Sequence, residues 1–271
     1  MLALDNFVRD EKCSLHYAKS GEGSIKYLVF HGFGQDHSIT HLFPQSNDRT
    51  YYVFDLFFHG RSEWKNGEQP LEKGHWIQLV TKFLEKEDIN RFSLISFSIG
   101  SRFALTILES FPDRVESNVL IAPDGLKKSL WYWLATYPFI TRKFFKSMIT
   151  HHWFFRLFAN SVRELKLLHK GLIRFAESQM NTKERRERAY MSWVVFRHLT
   201  VKTRHICELV NDHHINTTII VGRNDKVITE KWTRKFTRNL AIKPKIVRLP
   251  CGHNRLLHEA AALFSDGNFG R

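Results

Sequence analysis

Phe92-Ser93-Leu94-Ile95-Ser96-Phe97-Ser98-Ile99-Gly100 is the stretch that decides the fold of this chain. The run Phe92 to Ile95 has the character of a short strand, and Arg102-Phe103-Ala104-Leu105-Thr106-Ile107-Leu108 beyond it has helical spacing. Between them lies a short link with one serine, Ser98, flanked two positions either way by the small residues Ser96 and Gly100. So tight a strand-to-helix turn forces its central residue into strained backbone angles. A bulky side chain two positions away would collide with neighbouring backbone. The pattern predicts a nucleophile elbow with Ser98 at its apex.

Outward from this point, strands are expected near Ser14 to Ala18, Ile25 to Phe30, Tyr51 to Phe54, Asn118 to Ala122, Thr217 to Val221 and Lys245 to Leu249. Ser20-Gly21-Glu22-Gly23 predicts a hairpin joining the first two, its glycines supplying positive φ angles. Helical patterns fall at Leu71 to Lys86, Ile99 to Phe111 and Glu230 to Leu240, with a last helix starting near Asn254 and a loose tail from Ser265. Strands alternating with helices imply an α/β fold with a mostly parallel central sheet and helices on both faces.

Four motifs close predicted strands in order along the chain. His31-Gly32-Phe33-Gly34 follows Tyr27 to Phe30, and the elbow follows Phe92 to Ile95. Gly222-Arg223-Asn224-Asp225-Lys226-Val227 follows Thr218 to Val221, and Gly252-His253 follows Ile246 to Leu249. With Asp55-Leu56-Phe57-Phe58-His59-Gly60-Arg61-Ser62, this series resembles the α/β-hydrolase family, whose chain order is Ser, Asp, His. The likeness covers about residues 14 to 125 and 206 to 264. It departs from the family at Ser96, where glycine is common.

The resemblance implies a serine hydrolase. A serine hydroxyl needs a base to take its proton and a third group to hold that base. Ser98 is the expected nucleophile, His253 the base and Asp225 the orienting acid. Asp124, in Ala122-Pro123-Asp124-Gly125 at the end of another predicted strand, is the alternative acid. Asp225 is preferred because Gly-x-x-Asp-x-Val is the more usual context in the family. The backbone amides of Phe33 and Ile99 are expected to form the oxyanion hole. His31, Asp55 and the His59 to Ser62 turn read as scaffold. Without their partners, His253 would be read as a surface or structural histidine and Asp225 as a helix-capping or turn aspartate.

Other chemistries fit less well. His151-His152 and His213-His214 lack carboxylate or cysteine partners at metal-ligand spacing, Cys251 lacks the elbow context, and no glycine-rich phosphate loop is present. No cofactor or metal is expected. Three cysteines at wide spacing argue against a disulfide framework. The N-terminus has no basic region followed by an apolar stretch, and no window offers about 20 apolar residues for a spanning helix, so a cytoplasmic protein is expected.

At 271 residues the chain has room for a large α/β core with an insertion. From 126 to 205 the strand signals stop, aromatics such as Trp131, Trp133, Phe144, Phe145 and Trp193 accumulate, and the pattern turns helical. The expected organisation is a core of residues 1–125 and 206–271 interrupted by a helical segment at 126–205. In similar hydrolases an insertion after the sixth core strand is a cap.

The formal charge of +14 is concentrated in that insertion, which holds 17 Lys/Arg against 4 Asp/Glu, leaving 24 against 23 elsewhere. Most of these residues read as a solvated face over packed aromatics. The excess nonetheless raises three partners: an anionic membrane surface at the inner side of the membrane, a substrate with an acyl tail and an anionic head, or nucleic acid. The last is not expected, since no nucleic-acid motif is present. The sequence reading is hydrolysis of a carboxylic ester or thioester through an acyl-enzyme on Ser98. Carbon–carbon bond hydrolysis or acyl transfer on the same triad, and a non-catalytic anionic-lipid or partner-binding protein, are the alternatives.

Overall fold

A computed structural model describes residues 6–43, 47–126, 130–150 and 181–265. Contacts divide the chain into two compact units, the first comprising Met1–Asn66, Glu72–Lys127 and Leu199–Arg271, the second Gly67–Leu71 and Lys128–His198.

The first unit is a nine-stranded sheet: β1 (Phe7–Arg9), β2 (Cys13–Ser20), β3 (Ile25–Phe30), β4 (Arg49–Phe54), β5 (Glu63–Trp64), β6 (Phe92–Phe97), β7 (Val115–Ile121), β8 (Asn216–Gly222) and β9 (Lys245–Leu249). Its order is β1-β2-β4-β3-β6-β7-β8-β9, with β5 on β2. From β4 through β3 to β9 all pairings are parallel, whereas β2 runs antiparallel to β1, β4 and β5. Central strands are buried on both faces, which is why β6 reads as a nearly continuous apolar run and all six of its residues are buried.

The expected hairpin between β2 and β3 does not form. Gly21 does take a positive φ of 84°, but β4 inserts between the two strands and pairs with both. Local turn chemistry fits a hairpin; the parallel partnership of β3 with β4 outweighs it. The antiparallel partners of β2 are instead β4, β5 and β1, the last a three-residue strand too short for a periodic signal.

Helices α1 (Lys73–Lys86), α2 (Gly100–Ser110), α6 (Thr203–Asp212), α7 (Arg234–Arg238) and α8 (His253–Ser265) belong to this unit. Helix α1 buries Trp76, Leu79, Val80, Phe83 and Leu84, an i, i+3, i+4, i+7, i+8 stripe. Phe83 packs on the Tyr17, Tyr52 and Phe54 rings, and Trp76 meets Phe103 edge-on at 5.1 Å. Leu256, Leu257, Ala260 and Phe264 of α8 join a second cluster with Val29, Val53, Ile95, Val119 and Ile220 of the sheet.

Strand order reverses between β3 and β6, since the chain goes outward from β3 to β4 and returns on the other side as β6. Open α/β sheets place sites at the carboxyl ends of strands beside such a switch. Phe30 is in register with Ser96, so the loops leaving β3 and β6 emerge side by side.

The second unit contains α3 (Leu130–Thr136), α4 (Phe139–Thr150) and α5 (Lys183–Val195), followed by a 3₁₀ turn at Phe196–His198. Phe145, Ile149, Tyr190 and Val194 form its core, with Trp193 against Phe145 and Tyr132. Glu68 accepts hydrogen bonds from Lys146 Nζ at 2.5 Å and Tyr190 Oη at 2.9 Å, tying Gly67–Leu71 to the helices. Residues 151–180, with Trp153, Phe154, Phe155, Phe158 and the His151-His152 pair, lie outside the described residues, as do Lys127-Lys128-Ser129 and the tail beyond Ser265.

Candidate active site

Ser98 sits between β6 and α2 with φ at +51°, in the left-handed region that costs a non-glycine residue energy. Three backbone hydrogen bonds hold it there: its amide donates to Ile121 O at 3.0 Å, and its carbonyl accepts from the amides of Ser101 and Asp124 at 3.0 and 3.1 Å. Gly100 is required by space, because a Cβ there would lie 2.4 Å from Phe30 O and 2.6 Å from His31 O. Ser96 is fully buried and meets Ser101 Oγ at 3.1 Å, in a space that suits a small polar side chain.

The structure brings Ser98, His253 and Asp225 together from three strand ends. His253 Nε2 lies 3.1 Å from Ser98 Oγ, and His253 Nδ1 lies 2.7 Å from Asp225 Oδ2. These distances support an Nδ1–H donated to the carboxylate, leaving Nε2 as acceptor for the serine proton. Asp225 Oδ1 accepts the amides of Val227 and Ile228 at 2.7 and 2.9 Å, so both carboxylate oxygens are occupied and the group cannot rotate away. His253 is 8% exposed and Asp225 3%, and Phe97 packs its ring on the imidazole at 5.1 Å. Close packing also selects Gly222, where a Cβ would lie 2.6 Å from Cys251 O.

Asp124 has other partners. Its Oδ2 accepts Arg102 Nε at 2.7 Å and its Oδ1 accepts the Gly125 amide at 2.8 Å, an ion pair that steadies the turn after β7.

In the loop after β3 the Gly32 amide donates to Gln35 Oε1 at 2.9 Å. The amides of Phe33 and Ile99 donate to no other group among the described residues. His31 is fully buried, its Nδ1–H donating to Gly32 O at 2.7 Å and its Nε2 accepting the Leu56 amide at 3.0 Å; burial holds its pKa below the usual histidine value. It is a neutral brace between the β3 and β4 loops. Gln35, Phe97 and Arg102 are the contributors that motif reading misses, because neither their spacing nor their residue type sets them apart.

Two other groupings of potential metal ligands occur among the described residues. Asp55 Oδ2 accepts His16 Nδ1 at 2.7 Å, His37 Nδ1 at 2.9 Å and the Arg61 amide at 2.9 Å, and its Oδ1 accepts the His37 amide. Burial opposes the charge on Asp55, but these hydrogen bonds outweigh it and bring the carboxyl to about 2. Asp10 accepts His75 Nε2 at 2.6 Å and the Cys13 thiol at 3.3 Å, fastening the β1–β2 turn to α1. Burial and the neighbouring carboxylate push the Cys13 thiol up to about 12. His213 meets Asp113, a residue distant in sequence, at 2.9 Å on the surface.

A family model described as the alpha/beta hydrolase fold matches residues 28–260. A Mycoplasma pneumoniae protein named as an esterase/lipase is 25% identical over 100 residues, a stretch covering 36% of this chain and 37% of that protein. The matched stretch thus spans little more than a third of that relative's length. Among solved structures, a chain from a study of carboxylesterases of the Thaumarchaeon Nitrososphaera gargenis superposes with a TM-score of 0.65 at 15% identity, covering 96% of this chain and 95% of that one. The thioesterase domain from the curacin biosynthetic pathway does so with 0.63 at 16%, covering 96% of each. The likeness in fold is chain-wide while the sequence likeness is local. With the family model matching well over half its length, this chain belongs to the alpha/beta hydrolase fold family.

Proposed function

We propose that the protein is a serine hydrolase of carboxylic esters or thioesters that works through an acyl-enzyme on Ser98. The observation that carries this reading is the unbroken hydrogen-bonded chain Ser98 Oγ, His253, Asp225 at 3.1 and 2.7 Å, with its serine held at a positive φ. His253 Nε2 takes the serine proton as Oγ attacks the acyl carbon, and Asp225 stabilises the imidazolium. The developing oxyanion is received by the amides of Phe33 and Ile99, the latter at the positive end of α2. His253 then protonates the leaving alcohol or thiol, and in the second half takes a proton from water that releases the acid. Gly32 and Gly34 let the backbone of the first loop approach the substrate.

The esterase/lipase name of the Mycoplasma relative and the carboxylesterase and thioesterase descriptions of the structural neighbours agree with this reaction class. The helical segment remains the proposed source of substrate selectivity, as in the sequence reading. The same triad serves carbon–carbon hydrolysis or acyl transfer, so the test must include the bond type. Hydrolysis of p-nitrophenyl esters and acyl thioesters of increasing chain length, by wild type and Ser98→Ala, checks the proposal. Turnover of an ester or thioester that is abolished in the variant supports it; no turnover of either class, or turnover that survives the substitution, rejects it.

A further inference from the structure

Five of the six large apolar side chains that are exposed among the described residues fall within twelve positions of one helical hairpin: Trp133, Tyr137, Phe139, Ile140 and Phe144, with Ile140 80% and Phe139 61% exposed. Helix α4 is two-faced. Phe145 and Ile149 turn inward onto Tyr190 and Val194, while Phe139, Ile140, Lys143 and Phe144 lie on the opposite side at i, i+1, i+4 and i+5. At the bend between α3 and α4, Trp133 stacks on Tyr137 at 6.3 Å, so the aromatic surface continues from one helix to the next. Apolar groups concentrated this way on a surface mark an interaction site rather than scattered exposure.

The charges around this patch say what it faces. Lys143 Nζ lies 4.5 Å and the Arg142 guanidinium 6.0 Å from the Phe139 ring centroid, whereas Lys146, one turn further along, is already paired with Glu68. Helix α4 carries no acidic residue at all. Cations beside exposed aromatic and aliphatic side chains match the interface of an anionic bilayer: rings and Ile140 enter the headgroup boundary while Lys and Arg meet lipid phosphates. No described helix is long and apolar enough to cross a membrane, and docking at the surface requires none.

We infer that the α3–α4 tip, centred on Phe139, Ile140 and Lys143, is a docking surface for anionic lipid bilayers. This inference is independent of the hydrolase reading, and binding rather than turnover tests it. The full chain would be co-sedimented with vesicles of phosphatidylcholine alone and of phosphatidylcholine with phosphatidylglycerol, at low and high salt. The variants are Lys143→Glu and the double change Phe139→Ser with Ile140→Ser. All of these side chains are exposed, and melting curves would verify that the fold is kept.

Wild type is expected to sediment with the phosphatidylglycerol vesicles only and to be released by salt. Lys143→Glu is expected to weaken binding by about 10-fold, and the double change by at least about 10-fold. Absence of binding, equal binding to both vesicle types, or binding indifferent to the variants would overturn the inference. So would a concentration-dependent dimer that the double change dissolves, with no vesicle binding, since the patch would then be a self-association surface.

Discussion

The turns after β4 and β8 each hold a buried carboxylate against the Nδ1 of a histidine at 2.7 Å, and of those two imidazoles it is that of His253 whose other nitrogen meets a serine hydroxyl. Asp55 and Asp225 are alike in accepting two backbone amides each and in having fully buried side chains, though Asp55 also takes two imidazoles, of His16 and His37, where Asp225 takes one. They differ at the far nitrogen. His253 Nε2 faces Ser98 Oγ at 3.1 Å, whereas His16 Nε2 faces the Arg61 guanidinium at 3.4 Å with His37 edge-on beside it. A histidine–aspartate pair is therefore a general device for fixing a ring in a fold. In the proposed reading it becomes catalytic machinery only when a nucleophile held by its own strained turn stands at the other nitrogen.

That comparison is broken most severely by removing the nucleophile or its base. Ser98→Ala and His253→Ala are each expected to lower kcat by about 10⁶-fold with the melting temperature nearly unchanged, and their combination to cost little more than either alone. Asp225→Asn is expected to cost about 10⁴-fold in kcat, because the imidazole loses the tautomer that presents a bare Nε2. Steady-state kinetics beside thermal melts would check both.

Asp55→Ala should do the reverse, removing about 3 kcal/mol of stability in urea titrations while the folded fraction keeps its kcat within about 10-fold. The pH dependence follows from the same carboxylate. Its folded pKa, about 2, lies below the ordinary value of 3.8, so its contribution is fully present above pH ~4 and is lost as the pH falls toward 2. Asp55→Asn should flatten that acid limb of the stability profile, and a profile unchanged by the substitution would refute the role assigned to the turn.

A smaller effect sharpens the choice of acid. Asp124→Asn is expected to leave kcat within about 3-fold and to lower stability by about 2 kcal/mol through the bond to Arg102. A loss as large as that of Asp225→Asn would exchange the two assignments. Smallest of all, Cys251→Ser should change neither activity nor labelling: the thiol is buried, and burial pushes its pKa up, which leaves little thiolate to act.

What was legible in the sequence follows from the same physics. Strands β3, β6 and β8 and the residues that follow them could be read because buried parallel strands leave apolar runs and tight turns leave glycines. The β2–β3 hairpin misled because a glycine-bearing link looks the same whether its strands pair with each other or with a third; only the partnership of β4 with both decides. Strands β1 and β5, of three and two residues, exist through pairing with β2 and carry no period of their own. At the site, Ser98, Asp225 and His253 were named from motif and order, yet the Arg102–Asp124 pair that occupies the alternative acid is a contact 22 positions apart with no local trace. The exposed tip at Phe139 and Ile140 was hidden for a related reason. The sequence shows interleaved aromatic and basic residues, but which of them face inward is set by Tyr190 and Val194, some 50 positions away.

The central claim is an acyl-enzyme on Ser98, and intact-mass measurement after brief exposure to a fluorophosphonate or a slowly deacylating p-nitrophenyl ester tests it directly. A single adduct that maps to Ser98, that Ser98→Ala abolishes and that His253→Ala slows is the predicted result. No adduct on the folded wild-type protein, or one that persists when Ser98 is alanine, would contradict the account.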